Sequence, residues 1–276
     1  MSTVSQFSDF EMSATSSSDF INEAIRIAEV GKERGIVLRV MGACAIRIHC
    51  PNSHQILDRL QRAITDVDFM SYSKFEEKIE QMFKDLSYRS ESETVKLYTH
   101  MYGQVRSGYF DLKTQRKVDV FFDRLQMCHN VDFKNRLEID FPTLTVSDIL
   151  LEKMQIVKIN EKDVKDTLVL INEHDVGEED RETINLKYIS RLLAQDWGFY
   201  YTMTTNLKRL KTFLPQYDVF GNDSKSVIEH RIDKMLEHIE EQPKSMKWRM
   251  RAKIGTSRKW YADVDEVSMG NVGRGE

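Results

Sequence analysis

Apolar side chains in the first structured stretch fall at Phe20/Ile21, Ala24 and Ile27/Ala28. That spacing marks one face of a helix, predicted over residues 19–34, with Ser18 as its cap, Asp19 in its first turn and Gly35 beyond its end. Ile36-Val37-Leu38-Arg39-Val40-Met41 is a β-rich run that breaks at Gly42, and Ala43–His49 turns helical again. The pattern is strand, glycine turn, helix. After the loop Cys50-Pro51-Asn52-Ser53, a short helical pattern at His54–Arg62 leads into a strand at Asp66–Met70. Ser73 is expected to cap a helix reaching Leu86, with Phe75, Ile79, Met82/Phe83 and Leu86 on one face. From Tyr88 to Asp123 the pattern is β. Val105–Leu112 and Lys117–Phe122 flank Lys113-Thr114-Gln115-Arg116 as a hairpin, and Gln126–Asp132 and Leu137–Ile139 read as further strand pieces.

Beyond Pro142 the periodicity is helical. Val146, Leu150, Met154 and Val157 form one stripe, and Val164, Leu168 and Ile171 a second, with a break near Asn160. An acidic loop at Gly177-Glu178-Glu179-Asp180 precedes a less regular helix over 184–196, then clear stripes at Tyr200–Leu214 and Ile228–Ile239. Four regions follow: a disordered serine-rich tail over 1–17, an α/β unit over 18–143, a helical region over 144–243 packing on it, and a basic, flexible tail over 244–276. The fold class expected is α/β (α+β), with a mixed sheet, flanking helices and a helical C-terminal region.

Composition narrows the setting. Charged residues make up 30% and the hydrophobic set 41%, ordinary for a soluble globular chain, and the net charge of −4 implies no overall attraction to nucleic acid. No apolar run approaches the roughly 20 residues needed to span a bilayer, and the N-terminus lacks the basic and apolar regions of a secretory signal. Three cysteines are too few for a disulfide framework. A cytoplasmic protein with no membrane partner is expected.

Candidate chemistry lies in the β-rich part. Asp66 and Asp68 are two apart, so in a strand both point to one face, while Val67 and Phe69 point to the other. Asp119 occupies a second apolar run, Lys117-Val118-Asp119-Val120-Phe121. Three carboxylates on adjacent strands suit hard divalent cations, because strand interiors disfavour Asp unless something offsets its cost. Asp123 lies four residues on, about 13 Å along an extended strand, and is not expected in that cluster. Gly42 and Ala43 open a helix whose backbone amides suit phosphate, and Arg47 one turn later is placed to reach phosphate or pair with Asp66. Cys44, His49, Cys50, His54, Cys128 and His129 lack paired zinc-ligand spacing and read as core thiols and surface histidines. The basic run Lys244–Lys259, interleaved with Trp248 and Trp260, has the composition of an RNA-contacting segment or of a plain basic tail.

Gly42, the Asp66/Asp68 pair and Asp119, in that order and strand context, resemble the nucleotidyltransferases of the DNA polymerase β superfamily. Leu150-Leu151-Glu152-Lys153-Met154-Gln155, followed by Asn160-Glu161-Lys162-Asp163-Val164-Lys165-Asp166, is similar to a segment of the abortive-infection toxin-like branch (type IV toxin–antitoxin systems). The resemblance implies transfer of an NMP from an NTP to an acceptor (RNA or tRNA, protein, or small molecule) with release of pyrophosphate. It implies Mg2+, or Mn2+, held by Asp66, Asp68 and Asp119. Gly42, Ala43, Arg47 and Lys153 would bind the nucleotide, Asp163 and Asp166 would support Lys153, and an antitoxin-like protein would be a partner. Two departures stand out: Ala43 replaces the usual Ser or Gly, and the span from Gly42 to Asp66 is long, with Asn52–Arg62 reading as an insertion. The competing reading is a catalytically degenerate nucleotide-binding or interaction module on the same scaffold; a metal-dependent phosphohydrolase fits less well, since no His-Asp pair accompanies the acids.

Overall fold

The computed structural model describes residues 16–91 and 105–263. The expected disordered tail therefore lies outside the described residues up to position 15, as does the end of the basic tail beyond position 263.

Helix α1 (Ser17–Glu33) begins two residues before the expected start. Ser16 caps it, accepting from the Asp19 amide while the Asp19 carboxylate accepts from the Ser16 amide, a reciprocal capping box. Phe20, Ala24, Ile27 and Ala28 are buried, as their spacing requires. Strand β1 (Leu38–Met41) runs into α2 (Gly42–His49) with no intervening loop. A short helix α3 (His54–Arg59) then leads to β2 (Val67–Ser71). Helix α4 (Glu76–Asp85) is entered through a 3-10 turn at Ser73–Phe75. Ser73 does not cap it through its side chain. Its amide is held instead by the Asp123 carboxylate at 3.0 Å.

Strands β3 (Tyr88–Ser90), β4 (Arg106–Asp111) and β5 (Lys117–Phe122) complete a five-stranded sheet in the order β1-β2-β5-β4-β3. Only β2 and β5 are parallel; the other neighbours are antiparallel. A small hairpin follows, β6 (Arg124–Gln126) with β7 (Asn130–Asp132), whereas Leu137–Ile139, expected as a strand piece, is a turn. Residues 142–144 then lie along β1: Val40 donates to the Pro142 carbonyl and accepts from the Leu144 amide, each at 2.9 Å.

The helical part is built on α5 (Val146–Met154), every residue of which is buried, packed against α2, α6 (Glu161–Glu173) and α8 (Trp197–Phe213). A helix buried all round must pair its charges inside the protein. Asp148 does so with Arg136 at 2.9 Å and the Tyr188 hydroxyl at 2.9 Å. A parallel pair, β8 (Asp175–Gly177) with β9 (Thr183–Asn185), encloses the acidic loop, and its Asp180 also reaches Arg136. Helices α7 (Leu186–Leu193) and α9 (Asn222–Glu241) pack together, with Ile228, Ile232, Met235 and Ile239 as the buried stripe of α9.

The stretch expected to be a flexible basic tail instead forms α10 (Met246–Ile254), capped by Ser245. Trp248 meets Tyr200 edge-on at 5.0 Å, and Trp260 meets Tyr201 at 5.1 Å while donating to the Thr202 hydroxyl. These rings gain more from burial on α8 than from exposure. The whole is a mixed α/β architecture: a mixed sheet, flanking helices and a helical C-terminal region. Among the described residues, no helix is long and apolar enough to cross a membrane.

Candidate active site

Parallel register puts Asp68 of β2 directly beside Asp119 of β5, and antiparallel register puts Met41, the residue before the glycine turn, on the other side of Asp68. Asp66 lies just before β2 rather than within it. Gly42 takes φ +66, and a Cβ built on it would stand 2.7 Å from Asp68 Oδ2. Only glycine accommodates both that backbone conformation and that approach.

No hydrogen-bond donor among the described residues reaches the Asp68 carboxylate. Burial, and then the neighbouring charges of Asp66, Asp119 and Glu152, hold it well above the usual carboxylate range, with Lys153 pulling the other way. Asp119 is better supplied. Its Oδ1 accepts from Arg106 of β4, its Oδ2 accepts from Lys117 at 2.8 Å, and Glu91 lies 3.8 Å from the Arg106 guanidinium.

The helical half contributes a buried network. Lys153 Nζ stands 3.3 Å from Asp163, 3.3 Å from Asp166 and 3.5 Å from Glu152. Burial disfavours its charge, but these carboxylates more than offset that and raise its pKa. Asp163 and Asp166, expected to support Lys153, both lie against it. Arg62 grips Asp166 through two bonds of 2.8 Å, the bidentate geometry that suits guanidinium to carboxylate.

Two residues depart from their expected places. Arg47 turns to Asp58 at 2.9 Å and to the Arg62 carbonyl at 2.8 Å, away from Asp66. The Gly42 amide, expected to face phosphate, donates to Glu152 Oε2 at 3.1 Å, although no side chain caps α2 and Ala43 remains partly exposed.

Glu152 and Arg62 are the members that sequence reasoning passed over. Glu152 sits beside Lys153 in the segment that carried the resemblance, and burial raises its pKa. Its position on a helix apolar enough to be buried all round was the available signal. Arg62 lies in the apparent insertion, and nothing local marks it.

The cysteines are buried, as expected. His49 and His129 are buried too, against their reading as surface residues. His129 stacks on Phe199 at 5.0 Å and bonds Thr202, and burial pushes its pKa down to about 4.

Fold and site together define a mixed α/β protein with carboxylates on two central parallel strands and a glycine turn against one of them. No family model matches the sequence, and no curated protein matches it. Among solved structures, the chain is similar to the solution structure of the antibiotic-resistance factor ANT(2'')-Ia, with 14% identity and a TM-score of 0.38, over 64% of this chain and 95% of that one.

Proposed function

We propose that the protein is a metal-dependent nucleotidyltransferase. An acceptor oxygen attacks the α-phosphorus of an NTP, the bond to the β-phosphate oxygen breaks, and pyrophosphate leaves while the acceptor's proton passes to a carboxylate. The single observation behind this reading is the pairing of Asp68 with Asp119 across β2 and β5, with Gly42 pressed against Asp68.

The residues present fit Mg2+, or Mn2+. Asp68 is a recessed carboxylate without a donor among the described residues, and the charges acting on it are mostly negative, Asp66, Asp119 and Glu152 against Lys153. Oxygen-only ligands and surplus negative charge suit a hard divalent cation. Asp66, Asp68 and Asp119 would hold it, and when bound it neutralises triphosphate charge and lowers the pKa of the attacking hydroxyl. Arg106 and Lys117 position Asp119, and Lys117, the more exposed of the two, is the partner that yields an oxygen. Lys153 would offer its charge to the triphosphate, and its longest contact, 3.5 Å to Glu152, is the one that would yield. Ala43 offers its amide at the start of α2.

For the acceptor, RNA or tRNA is one candidate, since Lys247, Arg249 and Lys253 of α10 are exposed; a protein and a small molecule are the others. An antitoxin-like partner rests on the sequence resemblance alone.

One observation favours a second reading, a degenerate nucleotide-binding or interaction module. Both Asp119 oxygens and the Gly42 amide already have partners within the chain. Incubation with labelled NTPs, Mg2+ and total RNA or protein extract separates the two. The transferase reading expects label transfer that Asp66→Asn and Asp68→Asn each abolish. Transfer that survives both substitutions sinks the mechanism, and saturable nucleotide binding without any transfer supports the module.

A further inference from the structure

A second convergence of ligand-type side chains lies at the other end of α2. His49 is the last residue of α2, His174 follows α6, and Glu182 sits in the turn between β8 and β9. Their ligand atoms all lie within 4.8 Å of one another. Glu182 adopts φ +46, a left-handed conformation that a non-glycine residue keeps only when its surroundings hold it.

The outer partners of the two rings settle which nitrogens face inward as lone pairs. His49 Nε2 is 2.9 Å from the Leu144 carbonyl, which can only accept, so Nε2 carries the proton. His174 Nδ1 is 3.0 Å from the Leu170 carbonyl, so it too carries its proton. In the neutral rings, His49 Nδ1 and His174 Nε2 are therefore lone pairs. Both face Glu182, at 3.0 and 3.1 Å, whose carboxylate is itself an acceptor. Three acceptors aimed at one point need a proton or a cation between them. A proton on one ring leaves the other ring's lone pair facing the Glu182 carboxylate, and protons on both set two imidazolium groups, with centroids 5.9 Å apart, against Glu182 and, 3.9 Å from His49, Asp140. One divalent ion satisfies all three.

We propose that His49, His174 and Glu182 form a transition-metal site of the Zn2+ class. Tetrahedral Zn2+ with bonds of about 2.0–2.1 Å spaces its ligands about 3.3 Å apart, so the two contacts of 3.1 Å to Glu182 open by a few tenths of an ångström, while the two ring nitrogens, within 4.8 Å of each other, settle at that same spacing. Ring N–H groups pinned to backbone carbonyls are the outer-shell arrangement that fixes metal-binding histidines in the correct tautomer. The histidine side chains are 3% and 4% exposed and Glu182 is 56% exposed, so the fourth position opens toward solvent. The ion joins the C-terminal end of α2, whose N-terminal residue is Gly42, to the helical half. This inference does not depend on nucleotidyl transfer.

The test uses the full chain, stripped with chelator and titrated with Co2+ and then Zn2+. Expected are one equivalent of Co2+ with the intense visible bands of a four-coordinate site, stoichiometric displacement by Zn2+, and a higher Tm with metal than without. Glu182→Gln and His174→Gln should each weaken binding more than about tenfold, while an Asp66→Asn/Asp68→Asn variant keeps the signal and so excludes the aspartates as its source. Circular dichroism in metal-free buffer checks that the variants fold, and Glu182→Gln, in an exposed turn, is the variant chosen to do so. Absence of saturable one-equivalent binding to the stripped native protein overturns the proposal. So does binding that both Glu182→Gln and His174→Gln leave unchanged.

Discussion

Replacing Gly42 with alanine tests the link between fold and site. Two costs add. The residue stays at φ +66, where a Cβ collides with its own backbone at roughly 1–2 kcal/mol. The new Cβ also falls 2.7 Å from Asp68 Oδ2, so Asp68 must rotate or α2 must move, and overpacking of this kind typically costs about 1–3 kcal/mol. Gly35 supplies an internal control, because it has φ +67 and nothing within 4 Å of its Cβ position. Gly35→Ala should therefore lose only the backbone part, about 1–2 kcal/mol, and Gly42→Ala about 2–5 kcal/mol in total. Urea unfolding at an m-value of about 3 kcal/mol/M would separate the two midpoints by about 0.3–1 M. Nucleotide transfer should fall in Gly42→Ala and persist in Gly35→Ala. Equal midpoints and retained transfer in both variants would refute the reasoning, since the Asp68 approach would then constrain nothing.

Asp166→Ala leaves Arg62 and Lys153 buried with too few carboxylates and should destabilise by about 3–5 kcal/mol, read by denaturant midpoint. Asp68→Asn should abolish transfer yet raise the metal-free stability by about 0.5–2 kcal/mol. The raised pKa of Asp68 means that its ionised form opposes folding, so the gain over the native protein should shrink as pH falls and Asp68 itself becomes neutral. His129 acts in the opposite sense. Its pKa drops from an ordinary 6.5 to about 4 in the fold, so its stabilising share is complete above pH 6.5 and is lost as pH falls toward 4. That gap is worth about 3 kcal/mol. Thermal melts from pH 7.5 to 4 should show the loss, and His129→Gln, which can still bond Thr202, should flatten it.

The residue pattern alone carried the local geometry. The strand, glycine turn and helix at 36–49, the hairpin at 105–122 and the stripes of the long helices are all periodicities of 2 or 3.6, which side-chain direction imposes on any such element. Even the Asp68–Asp119 pairing was within reach, because two short apolar runs, each with a carboxylate flanked by apolar residues, are natural sheet neighbours. Helix starts were less secure. Ser18 and Ser73 were the expected caps, but Ser16 caps α1 through its reciprocal bonds with Asp19, and Asp123 holds the Ser73 amide. Convergence between distant segments belonged to the tertiary structure. Arg62 meets Asp166 across 104 residues and His49 meets Glu182 across 133, and neither spacing has any periodic meaning. They form beside α2 and α6, both of which pack on α5, a helix buried all round. Burial makes each charge require a partner, and only the packing of helices against the sheet decides which partner it finds.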